Sequence, residues 1–387
     1  MLGNFQGRDG KGAVLHGILD RANLVGQEGG FDHAEVVRFL SQPDSYPDHP
    51  ENVQIIESHM SLLFMTEDRV YKLKRPIKLD FVDFTTLDAR RTSCEQEFAI
   101  NQQLAPGVYL QILPIVRDAG GRLTLDGTGE TVDWLVCMRR LDCAQALDCK
   151  IARNEVEPAD IEILCKVLAG FYQSQPAIDV APEAVLRRWE DGVKQIESAL
   201  TDPLFALPSG LVDPPLEALL RFLAKHGDLL AERVENGRLL DGHGDLKPEH
   251  IYLGPPILLI DRLEFDEKLR WCDPFDEITF LGVECAILGA PWIAQLLQSE
   301  MARLLDEQPA QELLRFYWCY RACLRARLSI EHLRDEAPRT PARWPRQTRA
   351  YLRLAGEALS GMDAGPGTRF GAVPDHAKGN SSLTGSP

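Results

Sequence analysis

The sequence predicts an α+β, two-lobed protein: a small β-rich N-lobe followed by a larger helical C-lobe. Three observations carry this prediction. From Asn52 to about Leu141 short alternating runs are broken by turn residues, the pattern of extended chain. After Leu141 apolar residues recur at helical spacing in one segment after another. That second half holds one strand-like interruption, "DGHGDLKPEHIYLGPPILLIDRLEFDE", Asp241 to Glu267.

Residues 1–30 carry eight glycines without periodicity and read as a flexible N-terminal arm. The N-lobe, residues 31–141, includes a hairpin of "HMSLLFM" and "VYKLK" about the turn residues "TEDR". A helix follows, capped near Thr85 or Thr86, running through "LDARRTSCEQEFAINQQL" to the stop "APG". "VYLQILPIV" and "DWLVCMRRL" supply further strands around the Gly-containing "DAGGR" turn. The C-lobe, residues 142–360, is expected to hold amphipathic helices near 158–174, 183–200, 215–235, 276–304, 308–333 and 342–359. Residues 361–387, rich in Gly, Ser and Pro, read as a disordered tail. No internal repeat occurs.

With 387 residues, 44% of them hydrophobic, the chain is long enough for two core-forming units. No apolar run approaches the roughly 20 residues of a membrane helix. The N-terminus lacks the continuous apolar stretch of a signal peptide, so a cytoplasmic protein without a membrane partner is expected. The net charge of −16 argues against nucleic acid as a partner. It is compatible with a cationic small substrate, although global charge speaks to solubility and steering rather than to a site. The nine cysteines are scattered, with no CxxC, and read as free, mostly buried thiols. Cys319 and Cys323 lie one helical turn apart but lack further ligands.

The quoted interruption can be folded from its residues. "IYL" (251–253) and "ILLI" (257–260) flank "GPP", a forced turn. Pairing Leu253 with Ile257 sets His250 opposite Ile260, so His250 and Asp261 meet at the open end of the hairpin. Asp245 lies in the loop entering it. Converging carboxylates are costly unless a cation or a proton resolves their repulsion, and a divalent metal is the natural resolution. On "VYKLK", period 2 puts Val70, Lys72 and Lys74 on one face and Tyr71 and Leu73 on the other. A lysine on a sheet face that looks into a cleft is a candidate phosphate ligand. In the following helix Cys94, Glu97, Asn101 and Leu104 share an inward stripe. A carboxylate on that stripe requires a cation, and Lys72 is the candidate; Glu95, off the stripe, ranks second. Lys72 and Lys74 both remain open as the phosphate ligand.

"HGDLKPEHI", "LLIDRLEF" and "DPFDEITFL" together resemble the aminoglycoside phosphotransferase-like branch of the protein-kinase-like fold, with similarity from about Asp48 to Leu359. "ESHMSLLFMTEDRVYKLKRPIKLDFVDFTTLDARR" looks like one uncharacterised bacterial subgroup of that family. Members of that subgroup often carry an added P-loop ATPase domain. No GxxxxGK[ST] occurs here, so a chain without that domain is expected.

The resemblance implies a set of roles. Asp245 would be the catalytic base or substrate-orienting carboxylate. Asp261 would bind the magnesium that bridges the ATP phosphates. Lys72 would touch those phosphates, held by Glu97. The strand end at Met138, Arg139, Arg140 and Leu141 would be the hinge against the adenine. His243 would brace the loop, and Asp276 would anchor it from the helix behind.

Two features depart from the family pattern. "ESHMS" (57–61) stands where a glycine-rich loop would cover the phosphates. His250 stands where a metal-binding Asn is usual, and imidazole suits manganese or zinc better than magnesium. Either one magnesium is held through Asp261 while His250 hydrogen-bonds Asp245 or a phosphate, or the protein prefers manganese with His250 as a ligand. The leading expectation is an ATP-dependent phosphotransferase acting on a hydroxyl of a small molecule. The alternatives are a pseudokinase-like nucleotide-binding regulatory protein and a protein kinase. The acceptor pocket is expected from helices within 155–235 and 292–333.

Overall fold

Strands dominate the first half of the protein. The structure, a computed structural model, describes residues 32–79, 82–334 and 340–360. The predicted arm and tail therefore lie outside the described residues. Twelve strands are described: β1 Gln54–Glu57, β2 Ser61–Met65, β3 Arg69–Lys74, β4 Lys78–Leu79, β5 Val82–Asp83, β6 Tyr109–Arg117, β7 Leu123–Leu125, β8 Glu130–Arg139, β9 Leu240–Asp241, β10 Ile251–Tyr252, β11 Leu258–Leu259 and β12 Trp271–Cys272. Six of them form one antiparallel sheet in the order β1-β2-β3-β8-β6-β7.

Helices dominate the second half. In chain order they are α1 His33–Leu40, α2 Leu87–Asn101, α3 Leu147–Ala152, α4 Pro158–Ser174, α5 Pro182–Leu200, α6 Ser209–Glu235, α7 Pro274–Ile287, α8 Trp292–Leu305, α9 Gln311–Glu331 and α10 Arg343–Ser360. No helix among the described residues is long and apolar enough to cross a membrane. The nine cysteines are free, with Cys143 exposed, Cys149 half-buried and the others buried.

The alternation on β3 divides the N-lobe into two sides. Tyr71 and Leu73 face α1, where Val36, Val37, Leu40, Phe64 and Ile115 complete a core. Sequence periodicity missed α1 because it is only eight residues long. The opposite side carries α2, capped by the Thr86 hydroxyl accepting from Ala89 N–H at 3.2 Å. Its stripe of Cys94, Glu97, Asn101 and Leu104 is buried as predicted.

The C-lobe helices share one apolar core. The single helix expected over 276–304 is two helices, for a local reason. Gly289 adopts φ +93°, Ala290 N–H donates to the Cys285 carbonyl, and Pro291 caps α8. This is a glycine-terminated helix end followed by a proline that cannot continue it. A second correction is that β12 pairs with β9, so the extended structure of this half continues past the quoted stretch.

Candidate active site

The hairpin of Ile251–Tyr252 and Leu258–Leu259 folds in the predicted register. Ile251 pairs with Leu259 and Tyr252 with Leu258, and Ile260 N–H donates to the His250 carbonyl at 2.9 Å. His250 therefore lies between the two carboxylates. Its Nδ1 is 2.9 Å from the Asp245 carbonyl, and its Nε2 is 3.5 Å from Asp261 Oδ2. A carbonyl only accepts, so Nδ1 carries the proton. In the neutral ring Nε2 then presents its lone pair to the Asp261 side.

Across the cleft, Lys72 Nζ donates to Glu97 Oε1 and to Asp261 Oδ1, both at 2.7 Å. Burial works against the Lys72 ammonium, but Asp261 and Glu97 outweigh it and hold its pKa well above the ordinary lysine value. Burial likewise opposes ionisation of Asp261. The Lys72 charge prevails and keeps its carboxyl far below the usual range. Asp261 itself sits at φ +63°. Its N–H donates to the Tyr109 hydroxyl at 3.0 Å, which helps to hold that uncommon backbone.

Glu97 is fully buried, and Lys72 is not its sole partner. Lys74 also donates to it, through Oε2 at 2.5 Å. Reach to Glu97 therefore does not separate the two lysines. They differ in exposure instead: the Lys72 side chain is 12% exposed toward the cleft, that of Lys74 only 2%. Glu95 pairs on the surface with Arg91.

Asp245 has a partner that motif reading missed. Lys247 Nζ donates to its Oδ2 at 2.7 Å. Burial would raise the Asp245 pKa, yet Lys247 and His250 reverse this and hold the carboxyl below its ordinary value. The "DLK" spacing in the sequence was the available signal. His243 is buried, accepts from Asp245 N–H at Nδ1 and donates from Nε2 to the Ile260 carbonyl. Burial lowers its pKa to about 4, so it is a neutral brace between loop and hairpin.

The loop anchor is Glu277, not Asp276. Glu277 accepts from the backbone N–H groups of His243 and Gly244 at 3.0 and 2.7 Å and from the Tyr172 hydroxyl at 2.7 Å. Asp276 points elsewhere and pairs with Arg321. One residue along a helix is a rotation of about 100°, which decides which carboxylate faces the loop.

The residues of the expected hinge take different directions. Met138 is buried in a cluster with Tyr109, Tyr252 and Leu258, flanked by Val70 and Ile260. Arg139 N–H donates to the Val108 carbonyl, so that amide is engaged within the sheet region. Arg140 is directed to the β2–β3 turn, its N–H to the Asp68 carbonyl at 2.8 Å and its guanidinium to the Thr66 carbonyl at 2.5 Å. The "ESHMS" stretch is the β1–β2 turn, closed by Ser58 and held by Arg75 through the carbonyls of Ser58 and His59.

No family profile matches the chain. A choline/ethanolamine kinase family protein from Mesorhizobium loti aligns with a TM-score of 0.50 at 14% identity, covering 84% of this chain and 95% of that one. The chain has a protein-kinase-like fold. Spectinomycin phosphotransferase, solved with ADP and spectinomycin, aligns to this kinase-like chain with a TM-score of 0.48 at 12% identity, over 80% of this chain and 94% of its own. Uncharacterized proteins of Mycobacterium tuberculosis and Mycobacterium bovis are 30% identical over 328 residues, 82% of this chain. The kinase-like chain spans 63% of the length of those relatives.

Among the described residues no group of three or more His, Cys, Asp or Glu side chains is placed to hold a metal ion by itself. Asp261 nevertheless fits a magnesium completed by phosphate oxygens and water, while His250 Nε2, 3.5 Å from its carboxylate, is a nitrogen better suited to manganese.

Proposed function

We propose that the chain transfers the γ-phosphate of ATP to a hydroxyl of a small molecule. The observation that carries this reading is the ion-pair bridge across the cleft. Lys72 joins Glu97 of the sheet-bound helix to Asp261 of the hairpin, with Asp245 one imidazole away.

In this reading the adenine lies against Val70 and Met138 on one side and Tyr252 and Ile260 on the other. Lys72 exchanges its contact with Asp261 for the phosphates. Asp261 would hold magnesium, which when bound would neutralise charge on the phosphate oxygens. Asp245 receives and orients the acceptor hydroxyl. Its carboxyl, held ionised by Lys247, is a weak base toward a ground-state alcohol. Phosphoryl transfer tolerates this, because its loose transition state asks mainly for positioning. As the new O–P bond forms and the bond to the ADP oxygen breaks, the hydroxyl proton passes to Asp245.

Calorimetric titration with ATP and magnesium tests the nucleotide half of this proposal. The native chain binds, and Lys72→Ala weakens binding on the order of tenfold or more, as expected for a charge-assisted hydrogen bond. Lys74→Ala weakens it less, because Lys74 is behind the cleft. Equal affinities for native protein and Lys72→Ala would remove Lys72 from the site.

A further inference from the structure

Behind the Lys72–Glu97 pair lies a second buried pair. Lys74 donates to Glu264, and the Ser93 hydroxyl donates to the same Glu264 oxygen. Glu97 divides its two oxygens between the lysines, Oε1 to Lys72 and Oε2 to Lys74. A continuous ladder therefore runs Asp261–Lys72–Glu97–Lys74–Glu264. Its two ends, Asp261 and Glu264, are three residues apart on one segment, while its two cations are two apart on β3. The segment between is fixed as well: Arg262 N–H donates to Asn101 Oδ1 at 2.9 Å, and its guanidinium to the carbonyls of Asp241 and Gly242 at 2.8 Å.

We propose that Lys74 and Glu264 are positioning residues that set how Lys72 is shared between Glu97 and Asp261, and so how available Asp261 is to a cation. The role of that availability rests on the phosphotransferase reading; the coupling along the ladder does not. The Lys74 ammonium is buried and needs carboxylate compensation. If Glu264 loses its charge, Lys74 must draw that compensation from Glu97. Glu97 then gives less to Lys72, and Lys72 leans harder on Asp261. The residue three places past Asp261 thereby controls the oxygen that a cation requires, without touching substrate.

Two measurements on the full chain test this. The first is a double-variant cycle of Glu264→Gln and Asp261→Asn, read as denaturant midpoints without any ligand. The two carboxylates make no direct contact in the ladder, yet the double variant's shift is expected to depart from the sum of the single shifts. The second is the magnesium concentration that half-saturates ADP binding, expected to rise on the order of tenfold in Glu264→Gln, as for loss of an outer partner of a metal ligand. Should Glu264→Gln not fold, Glu264→Asp keeps the charge, shortens the reach by one methylene and carries both measurements. An additive cycle overturns the proposal. An unchanged magnesium half-point in a variant that still binds ADP also overturns it, because a purely structural pair would lower stability alone. If the native chain binds no ADP, the nucleotide reading fails and the cycle alone decides the coupling.

Discussion

At His250 the chain places an imidazole between two carboxylates, with its Nδ1 proton given to the Asp245 carbonyl and its Nε2 turned to Asp261. This supports the use of one magnesium through Asp261, with the ring tying that residue's position to the loop that carries Asp245. Activity of native protein and of His250→Asn should be compared in magnesium and in manganese. The native protein is expected to work in magnesium, and the Asn variant to lose relative activity in manganese, which favours nitrogen ligands more than magnesium does. Native protein inert in both metals, with activity gained by His250→Asn, would instead mark a degenerate kinase. The placing of Lys72, Glu97, His250 and Asp261 was legible because strand period, helical stripe and hairpin register each fix a direction in space. Glu264 and Glu277 were not, since their roles depend on loop path and helix rotation, whereas Lys247 left a signal in the "DLK" spacing. Neighbouring Asp276 and Glu277 offer the same chemistry, and the sequence contains no term that orients one of them toward the loop.

Among the elements, the loop that carries Asp245 is packed closely against its support. A Cβ on Gly242 would lie 2.2 Å from Cys272 Sγ and 2.8 Å from Glu277 Oε2. Gly242→Ala therefore has to move β12 or displace Glu277 from the loop amides. A loss of about 1–3 kcal/mol in denaturant unfolding is expected, the usual cost of overpacking, together with loss of activity. An alanine variant of native stability would contradict this packing. Elements with long periodic patterns were legible: α2 and α4 fall close to their predicted spans, and the β10–β11 register is the one predicted. Short elements such as α1, α3 and β7 carry too few residues to show a period. The break between α7 and α8 was available in "GAP", which the apolar pattern on either side concealed.

On the scale of the whole molecule, the lobes are joined by charge across the cleft: Lys72 to Asp261 and Lys74 to Glu264. A two-lobed plan was legible from the change of periodicity near Leu141. These contacts were not, because partners about 190 residues apart leave no local pattern. The folded state also fixes protonation. His243 and His33, both buried, stay neutral down to about pH 4, whereas an unfolded histidine takes up a proton near 6.5. Between these values the unfolded chain binds more protons, so the two histidines make stability fall as pH drops through that window. Asp133, raised to about 6 by burial, works in the opposite direction between about pH 4 and 6. Denaturant midpoints should decline from pH 6.5 to 4.5, and less so in His243→Asn; an equal decline in that variant would contradict a neutral His243. The central claim, phosphoryl transfer at Asp245, is tested most directly by incubating native protein and Asp245→Asn with γ-labelled ATP, magnesium and a metabolite extract. Native protein is expected to label a small molecule, while Asp245→Asn binds ATP as well as native but transfers on the order of 10²- to 10⁴-fold more slowly. Transfer by Asp245→Asn at the native rate, or a native chain that binds ATP and labels nothing, would contradict the account.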